Sequence, residues 1–181
     1  VIYVAHWDHL GRDATRQGDQ IFNGAFDNAS GTAGLLELGS AFAGVADQLR
    51  RSVVFLAVTA EEQGLLGSRF YTKQPLYPLA KTVAVINMDG LNPFGITRDL
   101  TVIGMGQSTL DDLAHRIAET RGRILRPDSE PQKGFYYRSD HFEFAKVGVP
   151  AFDPHRGVEV MGKSEQWGIE MRDRYTNEDY H

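Results

Sequence analysis

Cysteine is absent from the 181 residues. That excludes disulfides and thiolate metal sites, and leaves any metal to be held by His, Asp and Glu. Positive charge is in deficit: 19 Lys and Arg stand against 24 Asp and Glu, for a formal net charge of −5. A nucleic-acid surface or a basic face for anionic membranes does not fit that balance. No apolar run reaches the ~18 residues that a membrane-spanning helix needs. The chain starts on Val1, inside an apolar run, and stops on His181; both ends suggest an excised piece of a longer protein.

What is present is an ordinary globular composition, 41% hydrophobic with 19 glycines, long enough for a substantial core and read as one domain over 1–181. Apolar runs alternate with helical patterns. Residues 1–5, 52–59, 81–88, 100–104 and 149–152 read as strands, because near-continuous β-branched runs bounded by turn signals mark buried strands. Residues 29–46, 65–73, 108–121 and 139–146 fit helices, the third with Ser108 and Asp111 spaced as a capping box. After Phe152 the chain reads as polar and irregular. Strands spaced by helices indicate an α/β fold with a largely parallel sheet.

The residues that follow the strands carry the chemistry. Residues 1–5 lead into His6-Trp7-Asp8-His9, residues 52–59 into Glu61-Glu62, and residues 81–88 into Asp89-Gly90. Asp27 sits in Gly24-Ala25-Phe26-Asp27-Asn28-Ala29-Ser30-Gly31, at the entry to a helix. In open α/β sheets ligands bind beyond the carboxyl ends of the strands, so parallel strands would gather His6, Glu61, Glu62 and Asp89 at one edge. Adjacent glutamates after a strand are more often just the first turn of a helix, favoured by its dipole. Here several acids and imidazoles arrive together, and buried carboxylates in that number need a cation or a proton. A cysteine-free set of this kind suits zinc or a similar divalent ion, and two ions sharing one carboxylate is an economical arrangement.

Five motifs in order, His6-Trp7-Asp8-His9-Leu10-Gly11, Gly24 to Gly31, Ala60-Glu61-Glu62-Gln63-Gly64, Asn87-Met88-Asp89-Gly90 and Ser139-Asp140-His141, closely resemble the M28 family of zinc peptidases, mostly aminopeptidases with two zinc ions. The resemblance implies a three-layer αβα fold with a mostly parallel, mixed central sheet. It implies one zinc on His6 and Asp89, a second on Glu62 and a final histidine, and Asp27 bridging both. Glu61 then stands as general base and Asp8 as the partner orienting the His6 ring. A cis peptide bond between Asp27 and Asn28 is part of the same implication.

For the final histidine, Asp179-Tyr180-His181 matches the family's position near the C-terminus, with His141 as the alternative. Tyr136 and Tyr180 are both candidate donors to the oxyanion. His9 reads as a structural donor in its loop, and His155-Arg156-Gly157, placed on a loop, as a candidate substrate contact. The implied partner is a peptide substrate and the implied location is outside the bacterial cytoplasm. Two other readings compete. A glutaminyl-cyclase-like acyl transferase of the same fold works with one zinc, and a non-catalytic binding domain of that fold holds none. Retention of His6, Asp27, Glu61 and Glu62 together speaks against both.

Overall fold

The computed structural model of the chain describes residues 1–180; His181, expected above as the last metal ligand, lies outside the described residues. Strand β1 (Ile2–His6) opens the fold, and two short strands, β2 (Gly11–Arg12) and β3 (Ile21–Phe22), form an antiparallel hairpin after it. Helix α1 (Ser30–Ala43), strand β4 (Val54–Val58) and helix α2 (Leu66–Lys73) follow. Next come β5 (Val85–Asn87), β6 (Asp99–Ile103), α3 (Leu110–Thr120) and β7 (Ile124–Pro127). Helix α4 (His141–Ala145), strand β8 (Ala151–Arg156) and helix α5 (Glu165–Arg174) complete the order.

The main sheet has six strands in the order β4-β1-β5-β8-β6-β7. Its first four run parallel, while β6 pairs antiparallel with β8 and parallel with β7, so the sheet is mixed and mostly parallel as expected. Alternation along β1 sorts the two faces, since successive side chains point to opposite sides. Ile2 and Val4 pack with Val58, Val85, Tyr71 of α2 and Phe144 of α4. Tyr3 and Ala5 pack on the other face with Leu35 and Leu38 of α1 and with Met88. Helices therefore cover both faces, which is why β1 reads as a continuous apolar run in the middle of three layers. No helix among the described residues is long and apolar enough to cross a membrane.

Three elements depart from the sequence reading. The region after Phe152 is not irregular: β8 continues to Arg156, so His155 and Arg156 lie on a strand, and α5 follows. Helix α5 has no apolar stripe to announce it. Its buried residue is Gly168, whose missing side chain lets the helix rest on the Val158 backbone. Local signals do exist, in the Ser164 side chain, which accepts from the Trp167 N–H, and in Glu165 in the first turn. Strand β7 has no counterpart among the runs that read as strands; it is a short outermost strand ending on a proline, a residue tolerated at edges but not inside a sheet.

Helix α1 is seated on the end of β5 through Gly31. A Cβ at Gly31 would collide with the Met88 carbonyl oxygen and the Asn28 amide, both fixed in place. Gly31→Ala is expected to lower the unfolding free energy by about 1–3 kcal/mol. The check is the denaturant midpoint at unchanged slope, and an unaltered midpoint would show that this close seating is not needed.

Candidate metal centre and active site

The parallel strands deliver their terminal residues to one edge. His6 is the last residue of β1, Asp89 lies two residues past β5, and Glu61 and Glu62 lie just past β4. Asp27 arrives from the segment before α1, where the Asp27–Asn28 peptide bond is cis. Asn28 is buried and ties that segment to the end of β5. Its amide donates to the Met88 carbonyl at 2.9 Å, and its Oδ1 accepts from the Gly31 and Gly90 N–H groups at 2.9 and 3.2 Å. The two aspartates thus share one rigid mount.

His6 is 1% exposed. Its Nδ1 donates to the Asp8 backbone carbonyl at 2.8 Å, since a carbonyl can only accept. That bond fixes the tautomer and turns Nε2 toward Asp27 Oδ1 at 3.1 Å and Asp89 Oδ1 at 3.4 Å. Burial opposes a charge on the ring, but hydrogen bonding and attraction from those two aspartates prevail and push its pKa up to about 12. A nitrogen held between two carboxylate oxygens by a carbonyl behind it is how a zinc-binding imidazole is oriented. Here the Asp8 main chain orients the ring. The Asp8 side chain instead accepts from the Ala60 N–H at 2.7 Å and from the Thr59 hydroxyl at 3.1 Å. Ala60 adopts a left-handed φ of 58°, uncommon for a residue with a Cβ, so Asp8 secures the turn that presents Glu61.

Two groups of ligand atoms lie within 4.8 Å of one another: His6, Asp27 and Asp89, and His9, Asp27 and Glu62. Asp27 belongs to both. His9, read as a plain loop donor, places its Nδ1 2.8 Å from Glu62 Oε1. The space for it is left by Gly24, where a Cβ would press on the His9 Cβ at 2.8 Å. The only sequence signal for it was its place three residues after His6. Glu61 is buried beside these groups. Burial first, and then the charge of Asp89, push its pKa up to about 9. Donor set, spacing and displaced protonation all suit divalent cations, which would hold these acids ionised.

Behind Asp89 runs a buried polar chain. The Ser139 hydroxyl donates to Asp89 Oδ2 at 2.6 Å, and the Asn87 amide donates to Ser139 Oγ at 2.7 Å and to Asp153 Oδ1 at 3.0 Å. Asp153 in turn faces His141 Nδ1 and His155 Nε2, each at 3.2 Å. His141 therefore sits with Asp153 rather than in either ligand group. Burial would raise the Asp153 pKa, yet the two histidines and the Asn87 amide hold it below the usual carboxylate range. Asp140, fully buried next door, goes the other way: burial pushes its pKa up to about 7.

A cavity of about 640 Å³ opens over this edge, lined by Asp27, Glu61, Glu62, Asp89, His155 and Tyr180 among others. Burial and then the charge of Asp27 raise the Tyr180 pKa, so its hydroxyl keeps its proton. Tyr175, not singled out in the sequence, lines the same cavity and packs edge-on against Phe26 at 4.6 Å. Tyr136 does not line it. Its ring rests on Gly104 and packs edge-on against His141, Tyr137 and Phe142. Another depression, of about 600 Å³ near Val1, Tyr3 and Arg51, carries none of these ligand groups.

The model for peptidase family M28 matches residues 1–181. Leucine aminopeptidase 2 of Trichophyton rubrum is 29% identical over 153 residues, covering 79% of this chain and 30% of that protein. The mouse aminopeptidase NAALADL1 is 43% identical over 76 residues, 39% of this chain and 10% of its own length. The chain thus spans less than a third of the curated relatives it matches. Among solved structures, BSAP, a zinc aminopeptidase from Bacillus subtilis, is 24% identical with a TM-score of 0.64 over 92% of this chain and 38% of that one. LapB from Legionella pneumophila gives 0.63 at 20% identity, over 85% and 40%. These likenesses establish the same fold.

Asp153→Asn tests the buried chain. A carboxylate with a depressed pKa contributes stability above its unfolded pKa and loses it as pH falls through the folded value. The variant should be less stable than the parent by about 3 kcal/mol above roughly pH 5, with the gap narrowing toward roughly pH 2. Urea midpoints across that range check it; a gap that does not change with pH would mean that Asp153 is not the charged partner of the two histidines.

Proposed function

The chain belongs to peptidase family M28, and from that premise we propose that it is the catalytic part of a zinc-dependent aminopeptidase that uses two zinc ions. The single observation that carries the proposal is Asp27, shared between two groups of ligand atoms. His6, Asp27 and Asp89 would hold one zinc, and Asp27 and Glu62 would hold the other together with His181, the histidine expected from the sequence. Bound zinc supplies Lewis acidity, which acidifies water and polarises the scissile carbonyl.

The remaining work falls to the chain's own groups. Glu61 takes the proton of the attacking water and hands it to the leaving amine. Its turn is held for that task by the Asp8 carboxylate on the Ala60 N–H. Tyr180, with its proton retained, donates to the oxygen that gains charge. Ser139 holds the Asp89 carboxylate in one orientation from behind. The acidic lining formed by Asp27, Glu61, Glu62 and Asp89 favours a substrate that enters with a protonated α-amine.

Two measurements test this. Metal analysis of the full-length protein should find about two zinc ions per chain; about one would favour the cyclase-like reading and none a binding domain. Glu61→Gln should keep the metal content and lower hydrolysis of leucyl-4-nitroanilide by at least ~10²-fold. Retained turnover would remove Glu61 from its role.

A further inference from the structure

Arg156, the last residue of β8, lines the catalytic cavity in an unusual setting. Its guanidinium carbon lies 4.8 Å from the centre of the Phe26 ring, 5.0 Å from Tyr175 and 5.7 Å from Phe94. It forms no ion pair with any described residue. Its Nε is buried and makes no hydrogen bond. The neighbouring Arg172 differs, being paired with Asp173 at 2.8 Å. Burial pulls the Arg156 pKa down; Tyr175 acts in the opposite sense and Arg172 adds a smaller repulsion, but a guanidinium does not give up its proton in a protein. A cation is therefore retained against its own desolvation, with no carboxylate of a described residue paired to it. Ring faces attract such a charge without using up its in-plane N–H donors. Phe26 also places this cation relative to the reaction. It directly precedes Asp27 in the chain, and its ring lies against Gly90, beside Asp89.

We propose that Arg156 is the anion-binding, specificity-determining residue of this cavity, and that the substrate is a peptide presenting a carboxylate to it. That carboxylate is either the side chain of an acidic residue at the cleaved position or the free C-terminus of a dipeptide. A planar fork of N–H donors matches a carboxylate in two bonds, and a site shielded by aromatic rings strengthens both. The α-amine then meets the acidic groups around Asp27 while the carboxylate meets Arg156, so opposite ends of one small substrate are read by opposite charges. The proposal rests on the peptidase reading above and deepens it.

Matched pairs that differ only in carboxylate against amide provide the test. Calorimetric titration of full-length protein compares L-glutamate with L-glutamine, and leucyl-glycine with leucyl-glycinamide. The same preference is then read as kcat/KM on glutamyl- against glutaminyl-4-nitroanilide and on the two dipeptides. In one of the two pairs the carboxylate member should be favoured by about tenfold to a hundredfold, carried in KM. Arg156→Met, which keeps length and ring packing, should bring that ratio close to one; Arg156→Lys, which keeps the charge without the fork, should leave an intermediate ratio. A preference in the first pair identifies the acidic side chain, and in the second the C-terminus. Equal affinity within both pairs, or an Arg156→Met variant that weakens carboxylate and amide members alike, would overturn the proposal and leave Arg156 as a packing strut. If the amide substrates too go uncleaved, the peptidase reading fails, while the calorimetric ratios still decide the role of Arg156.

Discussion

Mutual repulsion among closely gathered, largely desolvated acids is the constraint around which this site is built. Asp27, Asp89, Glu61 and Glu62 meet at the carboxyl edge of four parallel strands with one fully buried imidazole among them. Left to protons alone, the cluster holds His6 as a cation and raises Glu61 into a neutral form. The surrounding scaffold has to hold these groups together against that repulsion. Asn28 does so with three hydrogen bonds, Ser139 with one to Asp89, and Asp8 with two to the turn before Glu61. Each supporting group is polar, buried or nearly so, and bonded to backbone or carboxylate. Affinity for divalent cations and the need for such a scaffold have the same electrostatic origin.

Much of the arrangement was legible because a strand covered on both faces reads as a continuous apolar run. The runs at residues 1–5, 52–59 and 81–88 located β1, β4 and β5, and the residues after them located His6, Glu61, Glu62 and Asp89. What escaped was held by contacts that leave no periodic trace. Helix α5 docks through a glycine, β7 is short and peripheral, and β8 runs on through His155 and Arg156 past a proline. His9 and Tyr175 reach the site from a loop and from the end of a polar helix, where neighbours in space are distant in sequence. Asp8 is instructive in another way. Its position beside His6 was evident, but the bonding of its main chain to the ring and of its side chain to Ala60 depends on dihedral angles that residue types do not encode.

The chain concentrates both signs of charge in one cavity. Its acids cluster at the strand ends, while Arg156 stands among the rings of Phe26, Phe94 and Tyr175, and Asp153 is flanked by His155 of its own strand and by His141 at the start of α4. These two strand positions, 153 and 155, connect inward through Asn87 and Ser139 to Asp89. Strand β8 therefore has two functions at its carboxyl end: one face stabilises the groups behind the acids, and its last residue faces the open volume.

The contact of Gly168 with the Val158 main chain has a consequence for how this architecture tolerates change. Because α5 meets the rest of the fold backbone to backbone at that point, the location of the aromatic wall that follows it, through Tyr175 and Tyr180, is largely independent of the helix's outward-facing residues. Those positions are free to drift, or to be reshaped as an outer surface, without moving the rim of the cavity. One position without a side chain thus sets the seat of the whole helix.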